Sequence, residues 1–198
     1  MDEHEASSPA RMIALSDAVF AIVSTILVLE LKVPQSASFA ALLSLWPQGL
    51  SYAVSYLFLA IVWVNHHYLL RYASAATHRL IWINFAHLFT VSLVPFATAW
   101  IAQTKLSGVP VAFYASIFVS VNVTYVLVYF EAVDRARAPA ITARVRTIMR
   151  TRSIITLATF AAAVPLALVW PIGGMALIGV CLVSYLRPEG KGPAYQLR

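Results

Sequence analysis

Charge is what this chain lacks most. Only 11% of its 198 residues are Asp, Glu, Lys or Arg, against 61% hydrophobic residues. A soluble globular chain carries about 25% charged and roughly 45–50% apolar residues. A water-soluble domain of this size cannot hide so much apolar surface, so the composition excludes that class and points to an integral membrane protein. Cysteine is nearly absent as well. The single Cys181 has no partner in its own chain, which excludes a disulfide framework. It lies in an apolar run and reads as a buried thiol. Glycine is scarce, and its seven residues gather late and in turns. No phosphate-cradling glycine loop is present, nor any G-x-S-x-G or H-E-x-x-H motif, so nothing marks an enzyme or calls for a cofactor or a bound metal. A T-V-G-Y-G run is missing too, which excludes a carbonyl filter of that kind.

Long apolar runs are what the chain has instead. A membrane-spanning helix needs about 20 predominantly apolar residues. Six candidate spans fall at about residues 12–31, 47–70, 78–104, 109–131, 153–169 and 174–186 within a single domain covering residues 1–198. Residues 38–46 form a short amphipathic lead-in, and Pro47 suits the first turn of the helix that follows. "WPIGG" is expected to make a tight turn between the last two spans. The small-residue stretch "QSASFA" resembles a cleavage site. The leader MDEHE is acidic, however, and the first run exceeds the roughly 7–15 residues of a signal-peptide core, so it reads as a retained span.

The net charge of +6 does not indicate nucleic acid, because the basic residues sit in the gaps between apolar runs. With the N-terminus inside, twelve of the fourteen Lys and Arg fall on the inner side, six of them in an arginine-rich connection over residues 134–152. Only Lys32 and Lys105 fall outside. The positive-inside rule therefore puts both termini in the cytoplasm of a multi-pass protein of the cell membrane. The arginine-rich connection reads as a stop-transfer signal resting on anionic headgroups, with a regulatory or ligand-binding role as the alternative.

The first span, "RMIALSDAVFAIVSTILVLEL", carries charge where a span should not. A carboxylate at the centre of a membrane helix costs roughly 2.5–3.5 kcal/mol on insertion scales. At about 100° per residue, Ile22, Ile26 and Leu29 form one stripe with Thr25 on its flank, while Asp17 and Ser24 lie on the opposite side. The stripe suits ordinary packing or lipid contact as well as a specialised surface. Asp17, buried, must find donors. The candidates are Arg11, Ser16 and "WVNHH" in the second span, which returns to the inner side and brings His66 and His67 to the depth of Asp17. Adjacent histidines point about 100° apart on a helix, whereas a shared metal prefers the i, i+4 spacing, so hydrogen bonding is expected rather than a metal site. His87 in "WINFAHLF" reads as a satisfied core histidine. Glu30 ends the span near water, either as a solvated helix end or as an attractor of cations.

These residues resemble a family. "RMIALSDAVFAIVSTILVLELKVP" is similar to the R-x-x-x-F-S-D signature and first helix of the transmembrane protein 175 family, the lysosomal and prokaryotic potassium channels. "YAVSYLFLAIVWVNHH" and "LIWINFAHLFTVSLVPFATA" are similar to the family's second and third helices. Leu15 stands where the signature has phenylalanine. The resemblance implies an all-α membrane protein with six transmembrane helices per subunit. Animal members carry two repeats per chain and dimerise, so one motif implies a homotetramer with helix 1 lining a central pore. It further implies an apolar constriction at Ile22, with Ile26 and Leu29 in the same stripe, and a part in selectivity for Thr25. Arg11, Ser16 and Asp17, with His66 or His67, would form the network that anchors the pore helix. The expected function is a potassium-permeable cation channel, with potassium ions, the lipid bilayer and further copies of the chain as partners. The rival from another class is a proton-coupled secondary transporter that uses Asp17 and His66/His67 as a relay.

Overall fold

Backbone N–H and C=O groups surrounded by hydrocarbon must pair within their own segment, which leaves long apolar runs only the helix or the closed barrel. In the computed structural model, which describes residues 9–135 and 142–186, all regular secondary structure among the described residues is helical. The acidic leader, Arg137 and the polar tail from Arg187 lie outside the described residues. The helices are α1 (Ala10–Leu29), α2 (Phe39–Leu43), α3 (Trp46–Leu70), α4 (His78–Ser92), α5 (Val94–Gln103), α6 (Gly108–Tyr129), α7 (Ala143–Val169) and α8 (Pro171–Tyr185). Among the described residues, five stretches are long and apolar enough to cross a membrane: α1, α3, α4 with α5, α6 with the turn that continues it, and α7. α8 is apolar but has only 15 residues, about 22 Å of helix against a hydrocarbon core of about 30 Å.

Local chemistry explains the breaks. α2 begins where the Ser38 hydroxyl accepts from the Ala41 amide at 3.2 Å, and α3 begins with Pro47 in its first turn. The 78–104 run is not one unbroken helix. It breaks at Leu93, because Pro95 has no N–H to give the preceding turn and its ring crowds that turn. "WPIGG" differs from expectation as well. Trp170 alone makes the corner, and both glycines lie inside α8. Their role is close packing: a Cβ on Gly173 would lie 2.3 Å from the Trp170 ring, and one on Gly174 would lie 2.9 Å from the Ala167 side chain.

Nor is residues 134–152 a loop throughout. α6 runs on into a π-helical turn, Phe130–Arg135. Residues 143–152 then form the first turns of α7, capped by Thr142. Arginine is a good helix former, and residues 143–152 contain neither proline nor glycine. With 27 residues, α7 is about 40 Å long, so its arginine-bearing start projects beyond the hydrocarbon.

α1 lies against α3, α4 and α5, while α6 runs through the middle and touches α4, α5, α7 and α8. Lipid is as apolar as leucine, so close packing rather than escape from water holds such helices together. Phe58 of α3 stacks on Phe118 of α6 with centroids 3.6 Å apart, and Phe160 of α7 closes on both edge-on. Three buried hydroxyls tie the broken span to its neighbours: Ser55 lies 2.7 Å from Thr98 and 2.8 Å from Tyr114. A second apolar cluster, with Met12, Leu69, Leu70, Leu80 and Val133, seals the end of the bundle where α1 begins.

Candidate functional site

α1 has two faces of unequal burial. Met12, Ser16, Phe20, Val23 and Leu27 recur at helical spacing and are buried against the rest of the chain. Ile22 (58% exposed), Ile26 (38%) and Leu29 (80%) lie on the far side, exposed among the described residues, and Leu27 between them is 1% exposed. Leu15, also exposed, falls about 20° from Ile22 on the same wheel and extends the stripe toward the N-terminus. Thr25 is exposed on the flank, and its hydroxyl donates to the Ile22 carbonyl at 2.8 Å. Because the hydroxyl is the donor in that bond, its oxygen lone pairs are not used by it. Glu30 is exposed just past the end of the helix, where its backbone carbonyl accepts from Gln48 Nε2 at 2.8 Å.

The polar residues of α1 separate into two contacts rather than one cluster. Asp17 lies at the border of the buried face. Its Oδ1 accepts from the Trp63 indole at 2.8 Å and lies 3.4 Å from His67 Nδ1. Ser16 turns the other way: its hydroxyl donates to the Met12 carbonyl at 2.9 Å and accepts from Asn84 Nδ2 at 3.0 Å. Asn84 Oδ1 meets His66 Nε2 at 2.8 Å. An amide oxygen can only accept, so this contact places the His66 proton on Nε2. His66 stacks on His87, with centroids 5.0 Å apart and planes 16° from parallel. His87 Nδ1 reaches Thr124 of α6 at 3.0 Å, while its Nε2 has no partner among the described residues.

His66 and His67 therefore serve different neighbours, as their angular separation on the helix requires. Arg11 is exposed in the first turn of α1 and bonds neither Asp17 nor Ser16. Asn84, which joins α1, α3 and α4 through one side chain, escaped the sequence reading. Its signal was present, since an amide inside an apolar helix must find a partner.

Residues 11–95 match the family described as the endosomal/lysosomal potassium channel TMEM175. A protein of Chryseobacterium sp. (strain P1-3), named a potassium channel, is 42% identical over 104 residues, which cover 52% of this chain and 54% of that protein. Another of that name from Chamaesiphon minutus is 36% identical over 130 residues, covering 61% of this chain and 64% of its own length. The matched stretch thus spans little more than half of these relatives. In three dimensions the likeness is wider. The crystal structure of a lysosomal potassium-selective channel TMEM175 homologue from Chamaesiphon minutus superimposes with a TM-score of 0.75 at 30% identity, over 89% of this chain and 95% of that one. A threonine-to-alanine variant of the potassium channel MtTMEM175, bound to a nanobody fusion, shares the fold, with a TM-score of 0.61 at 15% identity. The chain belongs to the TMEM175 family.

Proposed function

We propose that this protein is a potassium-permeable cation channel in which four copies of α1 surround a central pore. The observation that carries this reading is the bare apolar stripe of α1, with Ile22, Ile26 and Leu29 uncovered while the opposite face is packed and bonded. Ringed about one axis, those side chains form a dry constriction that ions cross partly dehydrated, and dewetting closes it. Thr25 adds an oxygen beside the apolar ring and takes part in selectivity. Asp17 and Ser16, held by α3 and α4, fix the rotation of α1 so that the stripe faces the axis. Glu30 marks the outer mouth, and the termini are cytoplasmic.

The test is a reversal-potential measurement on purified protein in a planar bilayer, with potassium on one side and sodium on the other. A channel gives a reversal potential displaced toward the potassium equilibrium value and currents that stay linear with driving force. The rival is a proton-coupled transporter, for which the 3.4 Å contact between Asp17 and His67 speaks. It would give saturable flux driven by a pH gradient and no unitary currents.

A further inference from the structure

Two carboxylates on the π-helical turn after α6 are each held by two arginines. Glu131 lies 3.1 Å from Arg79, at the start of α4, and 3.6 Å from Arg135. Asp134 lies 3.2 Å from Arg146 and 2.6 Å from Arg150, both in the first turns of α7. The depths of the partners differ. The Glu131 and Asp134 side chains are 9% and 15% exposed, whereas Arg79, Arg135 and Arg150 are 66%, 62% and 52% exposed. The carboxylates are sunk and the guanidiniums lie over them. A guanidinium has five N–H donors in a fixed fork. Arg79, Arg135 and Arg150 each turn one guanidinium nitrogen to a carboxylate, and Arg150 also meets the Tyr129 hydroxyl; a five-donor fork has more N–H groups than these contacts use.

The cluster lies where the apolar spans end, on the side of the bundle from which α1, α4 and α7 start. Aromatic side chains mark that level, as they do at membrane interfaces. Trp82 is exposed and donates to His78 Nε2 at 3.0 Å. Phe130 is exposed beneath the Arg150 guanidinium, 5.7 Å from ring to charge. A cleft of about 200 Å³ is lined by Glu131 and Arg135 together with Ser74 and Thr77.

We propose that this cluster is a site for the phosphate of an anionic lipid headgroup, bound by the outward edges of Arg79, Arg135 and Arg150, with Glu131 and Asp134 as positioning residues. The sunken carboxylates hold three flexible side chains in one arrangement, so phosphate meets a fork already set rather than three solvated chains. Ser74 and Thr77 supply hydroxyls to the rest of a headgroup. The site divides the basic residues of this end into two kinds. Arg79, Arg135 and Arg150 belong to a built site, and Arg144, exposed on the same segment but outside the cluster, contributes only diffuse charge. Whether the chain conducts does not enter.

Native mass spectrometry of the full chain in detergent, titrated with phosphatidylglycerol or phosphatidylcholine, tests this. Phosphatidylglycerol is retained in preference, and Arg79→Gln and Arg135→Gln each lower its affinity about five-fold, whereas Arg144→Gln changes it by less than about two-fold. Glu131→Ala weakens retention although it adds positive charge, because the fork is released. A melting curve on each variant shows that it is folded, and Glu131→Gln, which keeps an acceptor, retains most of the affinity. Inorganic phosphate in excess over the lipid leaves lipid retention unchanged if the lipid is the ligand; displacement assigns the site to free phosphate and overturns the lipid reading. Equal losses in Arg144→Gln and Arg79→Gln, or tighter lipid binding by Glu131→Ala, mean diffuse attraction alone and sink the proposal.

Discussion

The Trp63 indole on α3 donates a hydrogen bond to the Asp17 carboxylate on α1 at 2.8 Å, which joins the first two membrane spans through a charged acceptor. Hydrogen bonds to charged groups are stronger than neutral ones, and a donor left unpaired away from water carries the full cost of its desolvation. The stripe of α1 can face a pore axis only if the helix does not roll, and this bond resists rolling.

Asp17→Asn keeps the shape but removes the charge. The expected loss is roughly 1–3 kcal/mol, seen as a lower melting temperature and a smaller assembled fraction in size-exclusion chromatography, while the potassium-to-sodium ratio stays near that of the parent. A mutant of normal stability whose flux no longer depends on protons would favour the relay instead.

Asn84 is bonded to both Ser16 and His66. Asn84→Ala leaves two buried polar groups without their partner and should destabilise the fold by about 1–3 kcal/mol per group left unpaired. Thermal unfolding of the purified protein measures this. Asn84→Asp, which keeps an acceptor for His66 but loses the donor to Ser16, should fall between the parent and the alanine variant.

Ile22 and Val23 are neighbours in the chain with opposite surroundings, 58% and 3% exposed. Ile22→Asn puts a polar group on the open stripe, so if the stripe forms the proposed constriction it should wet it and raise potassium current at unchanged stability. Val23→Asn puts the same amide into the packed face, where it should lower stability and yield. Thr25→Ala should change the potassium-to-sodium ratio more than the conductance. Unaltered current and ratio in Ile22→Asn, at equal protein level, would show that the stripe does not face the pore.

The placement of basic residues predicts sidedness. In a Cys181→Ser background, Lys105→Cys should react with an impermeant thiol reagent on intact cells, and Arg144→Cys should react only after permeabilisation. Labelling of Arg144→Cys from outside would overturn the orientation with both termini inside.

Much of the fold is written along the chain, because the membrane imposes it locally. A run of apolar residues of sufficient length becomes a helix whatever its neighbours do, since its backbone has no other way to pair its polar groups. The division of α1 into an apolar stripe and a polar side is of the same kind: it follows from the period of the helix alone, and Ile22, Ile26, Leu29 and Asp17 fall where that period puts them.

Partnership between helices could not be read that way. Period places a residue on a face, but which side chain it meets depends on the depth, tilt and rotation of a second helix, and those are set by packing over the whole subunit. Hence Asp17 found Trp63 and His67 rather than Arg11, and Ser16 found Asn84. The arginines of residues 134–152 show the same limit. Their composition speaks of a membrane surface. Only the tertiary structure brings Arg146 and Arg150 onto Asp134 and Arg79 onto Glu131, because a pair separated along the chain exists only when two helix ends arrive at one depth.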